Sequence, residues 1–391
     1  MLDLQRQYQP LHRELLQALG HVLETQQFIL GEPVSSFERA AARELGVAHA
    51  VGCASGTDAL WLALASAKIG SAKPFRLADP ADKEPIPAVL TTPFSFFASV
   101  SSILRAGARP VLADIDPVTF NLDPAAAEEA LEGPHGATIR AILPVHLYGQ
   151  CAAWDAFARL GEEFGLTLIE DAAQAWGAEW NGIKAGTLGQ IAAFSFYPTK
   201  NLSAAGDAGM VATHSEEFAE RARMLRQHGM RRRYYHDEVG WNARLDGFQA
   251  AILEIKLKYI GGWNEARAVA ARRYDTLFRA AGLAEAGPYP THAIVLPQTA
   301  RSAKHVWHQY VIRTVRRDAL RAFLAERKIG SEIYYPVPLH LQEALQGMGY
   351  AEGGFPEAER AAREVLALPI FPEIRADEQE TVVQAIAEFL G

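Results

Sequence analysis

Cysteine is nearly absent from this 391-residue chain, which has only Cys53 and Cys151 and no CxxC pair. That argues against a disulfide framework and a cysteine-built zinc site, and points to a reducing compartment. Long apolar runs are missing too. None approaches the ~18 residues of a membrane span, and the polar start Met1–Tyr8 leads into no apolar core of signal-peptide length. Positive charge is not in excess. Lys and Arg number 38 against 46 Asp and Glu, a net charge of −8 with no basic footprint for nucleic acid. GxGxxG, GxxxxGK[ST] and HExxH do not occur, which removes the usual dinucleotide, P-loop and zinc-peptidase signatures. What is present, 49% hydrophobic and 21% charged residues, suits an ordinary globular protein. A cytoplasmic enzyme of one large and one smaller domain fits these bounds.

Residues 1–45 carry helical spacing, through Leu11, Leu15, Leu16, Leu19, Val22 and Leu23, then Phe37, Ala41 and Leu45. From residue 48 a βα rhythm follows. Strands are predicted at Ala48–Cys53, Ala88–Thr91, Pro110–Asp114, Arg140–Pro144, Thr167–Glu170, Ile191–Phe196 and Gly209–Thr213. Helix-length segments such as Asp123–Leu131 and Ala152–Phe164 separate most of them. Short apolar runs alternating with helices predict an α/β fold with a mostly parallel sheet covered on both faces. The proline-rich Ser71–Pro87 reads as a surface loop. Two helices, Leu245–Tyr259 and Asn264–Ala281, are expected on either side of Gly261-Gly262. Beyond about residue 285, a strand at Val306–Thr314, a helix at Arg317–Lys328 and the amphipathic Asp377–Leu390 read as α+β. The expected division is residues 1–255 for an N-terminal arm and large domain, and 256–391 for the small domain.

Four segments could carry chemistry. In Leu168–Gln174 an apolar strand ends in Asp171, and ligands of open parallel sheets sit beyond such strand ends. A carboxylate there can face a protonated ring nitrogen, as in pyridoxal phosphate (PLP) enzymes, or it can simply cap a following helix. In Phe194–Leu202, Ser195 ends a strand and Lys200 follows in a proline-broken turn. A lysine in a dry crevice can act as Schiff-base nucleophile; on a wet loop it is only a surface charge. Ala54–Leu60 joins a strand to a helix N-terminus, which is an anion cradle or else a plain cap through Thr57 or Asp58. Thr92–Phe97 adds an aromatic cluster. A phosphate cradle, a ring, a strand-end Asp and a Ser-x4-Lys turn stand in the order a PLP enzyme needs, and no single structural role explains all four.

On these residues the chain resembles the DegT/StrS group of PLP-dependent nucleotide-sugar aminotransferases, of fold type I. Phe28–Gly31, Glu170–Gln174, Tyr197–Leu202, Asn242–Asp246, Gln249–Ala251 and Tyr335–Leu339 extend the likeness over nearly the whole chain. The resemblance implies roles. Lys200 would carry PLP as a Schiff base and move the substrate proton, Asp171 would pair with the pyridinium nitrogen, and Gln174 would bond the ring hydroxyl. Phe96 and Ala172 would cover the two ring faces, while Gly56, Thr57 and Ser195 would hold the phosphate. Asn242 would serve the neighbouring subunit, which implies a homodimer with shared active sites. Arg244 and Tyr334 are the substrate-side candidates; many relatives have His at the Tyr334 position. No metal is implied.

The implied reaction is ping-pong, from L-glutamate to a nucleotide-linked keto-hexose, making amino sugars of the kind used in polysaccharide biosynthesis. Pro144–Gln150 resembles the branch acting at C-3. Arg226–Gly229 with Arg231–Tyr234 resembles enzymes of UDP- or dTDP-sugars, although such a stretch could equally be a solvated hairpin. The competing readings are a PLP-dependent sugar dehydratase, whose members replace the lysine with His, and a catalytically silent regulator.

Overall fold

Seven strands of four or five residues, apolar enough to be buried on both faces, make the central sheet of the computed structural model, which describes residues 1–70 and 86–391. They are β1 (His49–Cys53), β2 (Ala88–Thr91), β3 (Arg109–Leu112), β4 (Ile139–Ile142), β5 (Thr167–Asp171), β6 (Ile191–Ser195) and β7 (Gly209–Thr213). Their order is β1-β7-β6-β5-β4-β2-β3. All run parallel except β7, which is antiparallel to both β1 and β6. The carboxyl ends of β1, β2, β4, β5 and β6 therefore share one edge. All but two residues of the expected Ser71–Pro87 loop lie outside the described residues.

Three helices precede the sheet: α1 (Leu4–Tyr8), α2 (His12–Thr25) and α3 (Glu32–Leu45). Next come α4 (Gly56–Ser66) after β1, α5 (Ala98–Arg105) after β2, α6 (Pro124–Glu132) after β3, α7 (Trp154–Phe164) after β4 and α8 (Glu216–Leu225) after β7. In α4 the consecutive residues Ala59–Leu64 are all buried, as expected of a helix apolar all round. On α2 only Leu15 and Val22 are buried, while Leu16 and Leu23 stay 56% and 58% exposed. The helical spacing was legible there, but the helix is wrapped on one side only.

Then α9 (Gly247–Leu257) and α10 (Ile260–Ala280) cross towards a four-stranded sheet of β8 (Ala284–Glu285), β9 (Ile294–Val295), β10 (Tyr310–Arg313) and β11 (Val365–Leu368). Helices α11 (Arg317–Glu326), α12 (Pro356–Glu364) and α13 (Ala376–Leu390) complete the chain. Two expectations are corrected here. Gly261-Gly262 does not separate α9 from α10 but lies in the first turn of α10, whose buried face from Ile260 to Phe278 carries the helix through the pair. The strand expected from Val306 begins only at Tyr310. Trp307 adopts φ +50° and its N–H bonds His305 Nδ1 at 2.9 Å, which turns the chain before it can extend. Among the described residues, no helix is long and apolar enough to cross a membrane, and no cluster of three or more His, Cys, Asp or Glu could hold a metal.

Candidate active site

The shared strand edge gathers most of the residues singled out above. From β1 the chain turns through Ser55 into α4. Ser55, in extended conformation, is the N-cap; its Oγ accepts from Asp58 N at 3.0 Å. The expected cap by Thr57 or Asp58 is thus corrected: Asp58 takes the Ser55 hydroxyl and Arg105 instead. The N–H groups of Gly56 and Thr57, in the first turn, have no carbonyl partner within the helix. They form an anion cradle with the β6 end, because a Cβ on Gly56 would stand 2.5 Å from Ser195 Cβ and 2.9 Å from its Oγ. Gly209 makes this approach possible. It is registered against both Cys53 and Ser195, and a Cβ there would come within 2.2 Å of Ser55 O.

Asp171 closes β5 beside β6. It is buried, and it caps no helix; a turn follows, with Ala173 N bonding Oδ1 at 3.2 Å. Ser99 Oγ, from α5, donates to Oδ2 at 2.8 Å and is itself 2.9 Å from Ser95 Oγ. Burial raises the Asp171 pKa, and the Ser99 and Ala173 hydrogen bonds and the charge of Lys200 oppose that rise. The neighbouring Glu170 points the other way. It accepts from the N–H groups of Gly186, Leu188 and Gly189 at 2.6–2.9 Å and lies 3.1 Å from His146 Nε2. Since His146 Nδ1 accepts from Ala152 N at 3.1 Å, the imidazole donates through Nε2 and pins the strand from behind.

Lys200 stands five residues beyond Ser195 on a loop whose base is closed by Ala204 N to Phe196 O at 2.8 Å. Its neighbour Asn201 is buried and fastened to Asn264 Oδ1 (2.8 Å), Val306 O (2.9 Å) and His308 Nδ1 (3.1 Å). Burial lowers the Lys200 pKa to about 8, with the charge of Asp171 working against the fall. At that value roughly one lysine in ten is neutral at pH 7, against about one in three thousand at the ordinary value. The cradle, the lysine and the carboxylate are therefore coupled parts of one crevice, not a wet loop and a helix cap.

Gln174 is more constrained than the sequence suggested. Its Oε1 accepts from Tyr148 N at 2.6 Å, and its Nε2 donates to Tyr335 OH at 3.2 Å. Tyr148 holds φ +58°, a left-handed conformation costing about 1–2 kcal/mol for a residue with a Cβ. Its hydroxyl donates to Tyr334 O, so Gln174, Tyr148 and the Tyr334–Tyr335 segment make a closed ring. Phe96 is 60% exposed, with its ring 6.2 Å from that of Tyr335, while Ala172 is buried. Tyr334 is half-buried, and its ring lies 5.8 Å from that of Tyr335. The contacts of Ser99, Tyr148 and Tyr335 were not foreseen, although Tyr148 and Tyr335 lie in segments that carry the family likeness.

The stretch 241–246 runs beside the end of β1, through Ala54 N to Ala243 O at 3.1 Å and a bridge between Cys53 and Arg244. No hydrogen bond between described residues ties the Asn242 side chain to the Lys200 crevice; it is exposed. Arg244 is half-buried, with Nε enclosed and unpartnered among the described residues. The residues present suit a group with an anionic end, a ring nitrogen and an electrophilic carbonyl. Two N–H groups without a partner among the described residues and a hydroxyl await the anion where no Cβ would fit, a buried carboxylate awaits the nitrogen, and a half-buried lysine awaits the carbonyl.

Comparison with known proteins agrees with that chemistry. The family model described as "DegT/DnrJ/EryC1/StrS aminotransferase family" matches residues 10–387. The chain is 45% identical to the "Pleiotropic regulatory protein" of Geobacillus stearothermophilus, over 100% of this chain and 98% of that one. It is 40% identical to the dTDP-3-amino-3,4,6-trideoxy-alpha-D-glucose transaminase of Streptomyces venezuelae, over 99% and 95% of the two chains. It is 38% identical to the UDP-N-acetyl-3-dehydro-alpha-D-glucosamine 3-aminotransferase of Acidithiobacillus ferrooxidans, over 100% and 97%. Its fold superposes on the crystal structure of S. venezuelae DesV in complex with a ketimine intermediate with a TM-score of 0.89, at 40% identity, over 99% and 97% of the two chains. With its lysine, carboxylate and anion cradle in place, the chain belongs to the DegT/DnrJ/EryC1/StrS aminotransferase family, and its cofactor is pyridoxal 5'-phosphate.

Proposed function

We propose that the chain moves the amino group of L-glutamate to C-3 of a nucleotide-linked keto-hexose, a dTDP- or UDP-sugar, in two half-reactions at one site. The observation that carries this reading is the coupling of Lys200 and Asp171 in one crevice beside the free N–H groups of Gly56 and Thr57. When bound, pyridoxal 5'-phosphate supplies the electron sink that lets a proton leave the amino-bearing carbon. Gly56, Thr57 and Ser195 hold its phosphate. Asp171 keeps the ring nitrogen protonated, and Gln174, Phe96 and Ala172 orient the ring. Lys200, neutral more often than an ordinary lysine, would hold the carbonyl end of the group and would take and return the substrate proton through Nζ.

Asn242, exposed and with no side-chain hydrogen bond to the crevice of its own chain, reaches the phosphate of a second copy in a homodimer, and the exposed Leu16, Leu23, Phe28 and Ile29 supply apolar surface for that contact. Arg244 and Tyr334 face the sugar nucleotide. Residues 1–255 act as the cofactor-holding unit and 256–391 as the unit that brings Tyr334, although the division falls inside α9. The relatives named for 3-amino sugar transamination support the C-3 assignment. The relative named as a regulator does not displace it, because this chain keeps the lysine, the carboxylate and the cradle that catalysis needs.

The test is the visible spectrum of the protein with pyridoxal 5'-phosphate. A band that bleaches with L-glutamate and returns with a 3-keto sugar nucleotide is expected. A spectrum unmoved by any amino donor overturns the reading.

A further inference from the structure

Ser203, three residues beyond Lys200, is fully buried, and its Oγ accepts a hydrogen bond of 2.6 Å from Lys256 Nζ on α9. Lys256 is fully buried as well, and among the described residues no carboxylate stands within ion-pair distance of it. Its ammonium is held by hydroxyls and ring faces instead. Tyr8 OH lies at 3.3 Å, the Tyr8 ring centroid at 4.6 Å and the Trp263 ring centroid at 5.8 Å. Burying such a charge is unfavourable, and its pKa falls to about 7 despite the more distant charge of Glu373. An unbranched apolar side chain such as Met could fill this space without that cost. The lysine therefore needs a reason beyond packing.

Its contacts supply one. Lys256 reaches the loop of Lys200 by two routes, directly through Ser203 and indirectly through Tyr8, whose hydroxyl donates to Ala204 O at 3.3 Å. The other side of the same loop is fastened by Asn201 to Asn264, Val306 and His308. Lys200 sits immediately before this doubly anchored segment.

We propose that Lys256 is a positioning residue for Lys200: through Ser203 and Tyr8 it fixes the end of the loop, so that Lys200 is held at the crevice before any ligand arrives. A reacting side chain keeps its geometry only when the groups behind it are themselves fixed. The inference rests on the reading of Lys200 given under the proposed function, and the measurements that test it need no sugar substrate.

Three readouts are taken on the full chain, with and without pyridoxal 5'-phosphate: the melting temperature, hydrogen exchange of the amides of residues 197–204, and the cofactor dissociation constant. Lys256→Met is expected to melt no lower than wild type. Its 197–204 amides should exchange about ten times faster and its cofactor bind about ten times more weakly, the scale of one lost buried hydrogen bond. Lys256→Gln, which can still donate to Ser203, should restore most of both, a rescue that mere volume filling would not produce. The Lys256→Met/Ser203→Ala pair should be less than additive.

Wild-type exchange and affinity in Lys256→Met overturn the proposal, and so do fully additive effects. If Lys256→Met does not fold, Ser203→Ala carries the test alone, and wild-type behaviour there overturns the proposal too. Failure of the Lys200 reading is seen separately, as transaminase activity surviving in Lys200→Ala, and leaves the exchange result untouched.

Discussion

Ser99 holds Asp171 from the side of α5, its hydroxyl 2.8 Å from Oδ2, in a site where burial alone would favour the protonated acid. The hydrogen bond favours the ionised form, which is the form able to keep a ring nitrogen protonated. Removing it in Ser99→Ala raises an already raised pKa further. A hydrogen bond to a charged group contributes about 1.5–3 kcal/mol, so the acidic limb of the kcat profile should move to higher pH by about one to two units. The pH–rate profile of the glutamate half-reaction checks this, and an unmoved limb removes Ser99 from the mechanism. Asp171→Asn, neutral at every pH, should retain cofactor and lose turnover throughout the range.

Lys200 gives a second pH signature. In the cofactor-free protein only its neutral amine attacks a carbonyl, and with a pKa of about 8 that form grows as pH rises through 8 instead of through the ordinary 10.5. The association rate with pyridoxal 5'-phosphate, followed by stopped-flow absorbance, should rise with a midpoint near 8. Lys200→Ala should show no trapping of cofactor by borohydride and no transamination. An active Lys200→Ala enzyme would falsify the assignment.

Gly56→Ala tests the cradle. The added Cβ would be 2.5 Å from Ser195 Cβ, so either β6 or the start of α4 must move. Affinity for pyridoxal 5'-phosphate should fall by about ten- to a hundredfold, within the range of a steric insertion into close-packed atoms. Pyridoxal, which lacks the phosphate, should bind nearly as before. Equal losses for both ligands would mean that the substitution damages the whole site.

Asn242→Ala tests the proposed dimer. Sedimentation should still give a dimer, while the cofactor dissociates several-fold faster, because one hydrogen bond to an anion is missing. Unchanged dissociation breaks the idea of a shared phosphate site.

Much of this molecule could be read in advance because the decisive signals are local. Strands of four or five apolar residues stand out when both faces are covered, and Asp171 and Ser195 mark the ends of two of them, with Lys200 in the loop that follows. Gly56 was legible for the same reason, at a strand-to-helix turn. Ser55 was missed as the cap because Ser, Thr and Asp stand within four residues, each chemically able to cap, and only backbone conformation selects among them. Partners distant in sequence were invisible. Ser99 meets Asp171 across 72 residues, Gln174 meets Tyr335 across 161, and Lys256 meets Ser203 across 53. No periodicity or spacing encodes such pairs; they follow from how helices are laid over the sheet. The turn at Trp307 escaped for a similar reason, since a side-chain acceptor on His305 overrides the extended preference of its neighbours.

The single antiparallel strand has a consequence for how the protein is made. β7 is the last described strand of the large sheet to leave the ribosome, yet its place is between β1 and β6, and among the described residues β1 has no other strand neighbour in that sheet. A nascent chain that has not yet reached residue 209 leaves β1 unattached and the turn at Gly56 apart from Ser195. Pairings of this sequence separation form slowly, after much loop entropy has been lost. Closure of the phosphate cradle therefore has to wait for β7: a chain stalled before residue 209 has Gly56 and Ser195 apart, and its open strand edges leave it exposed to aggregation.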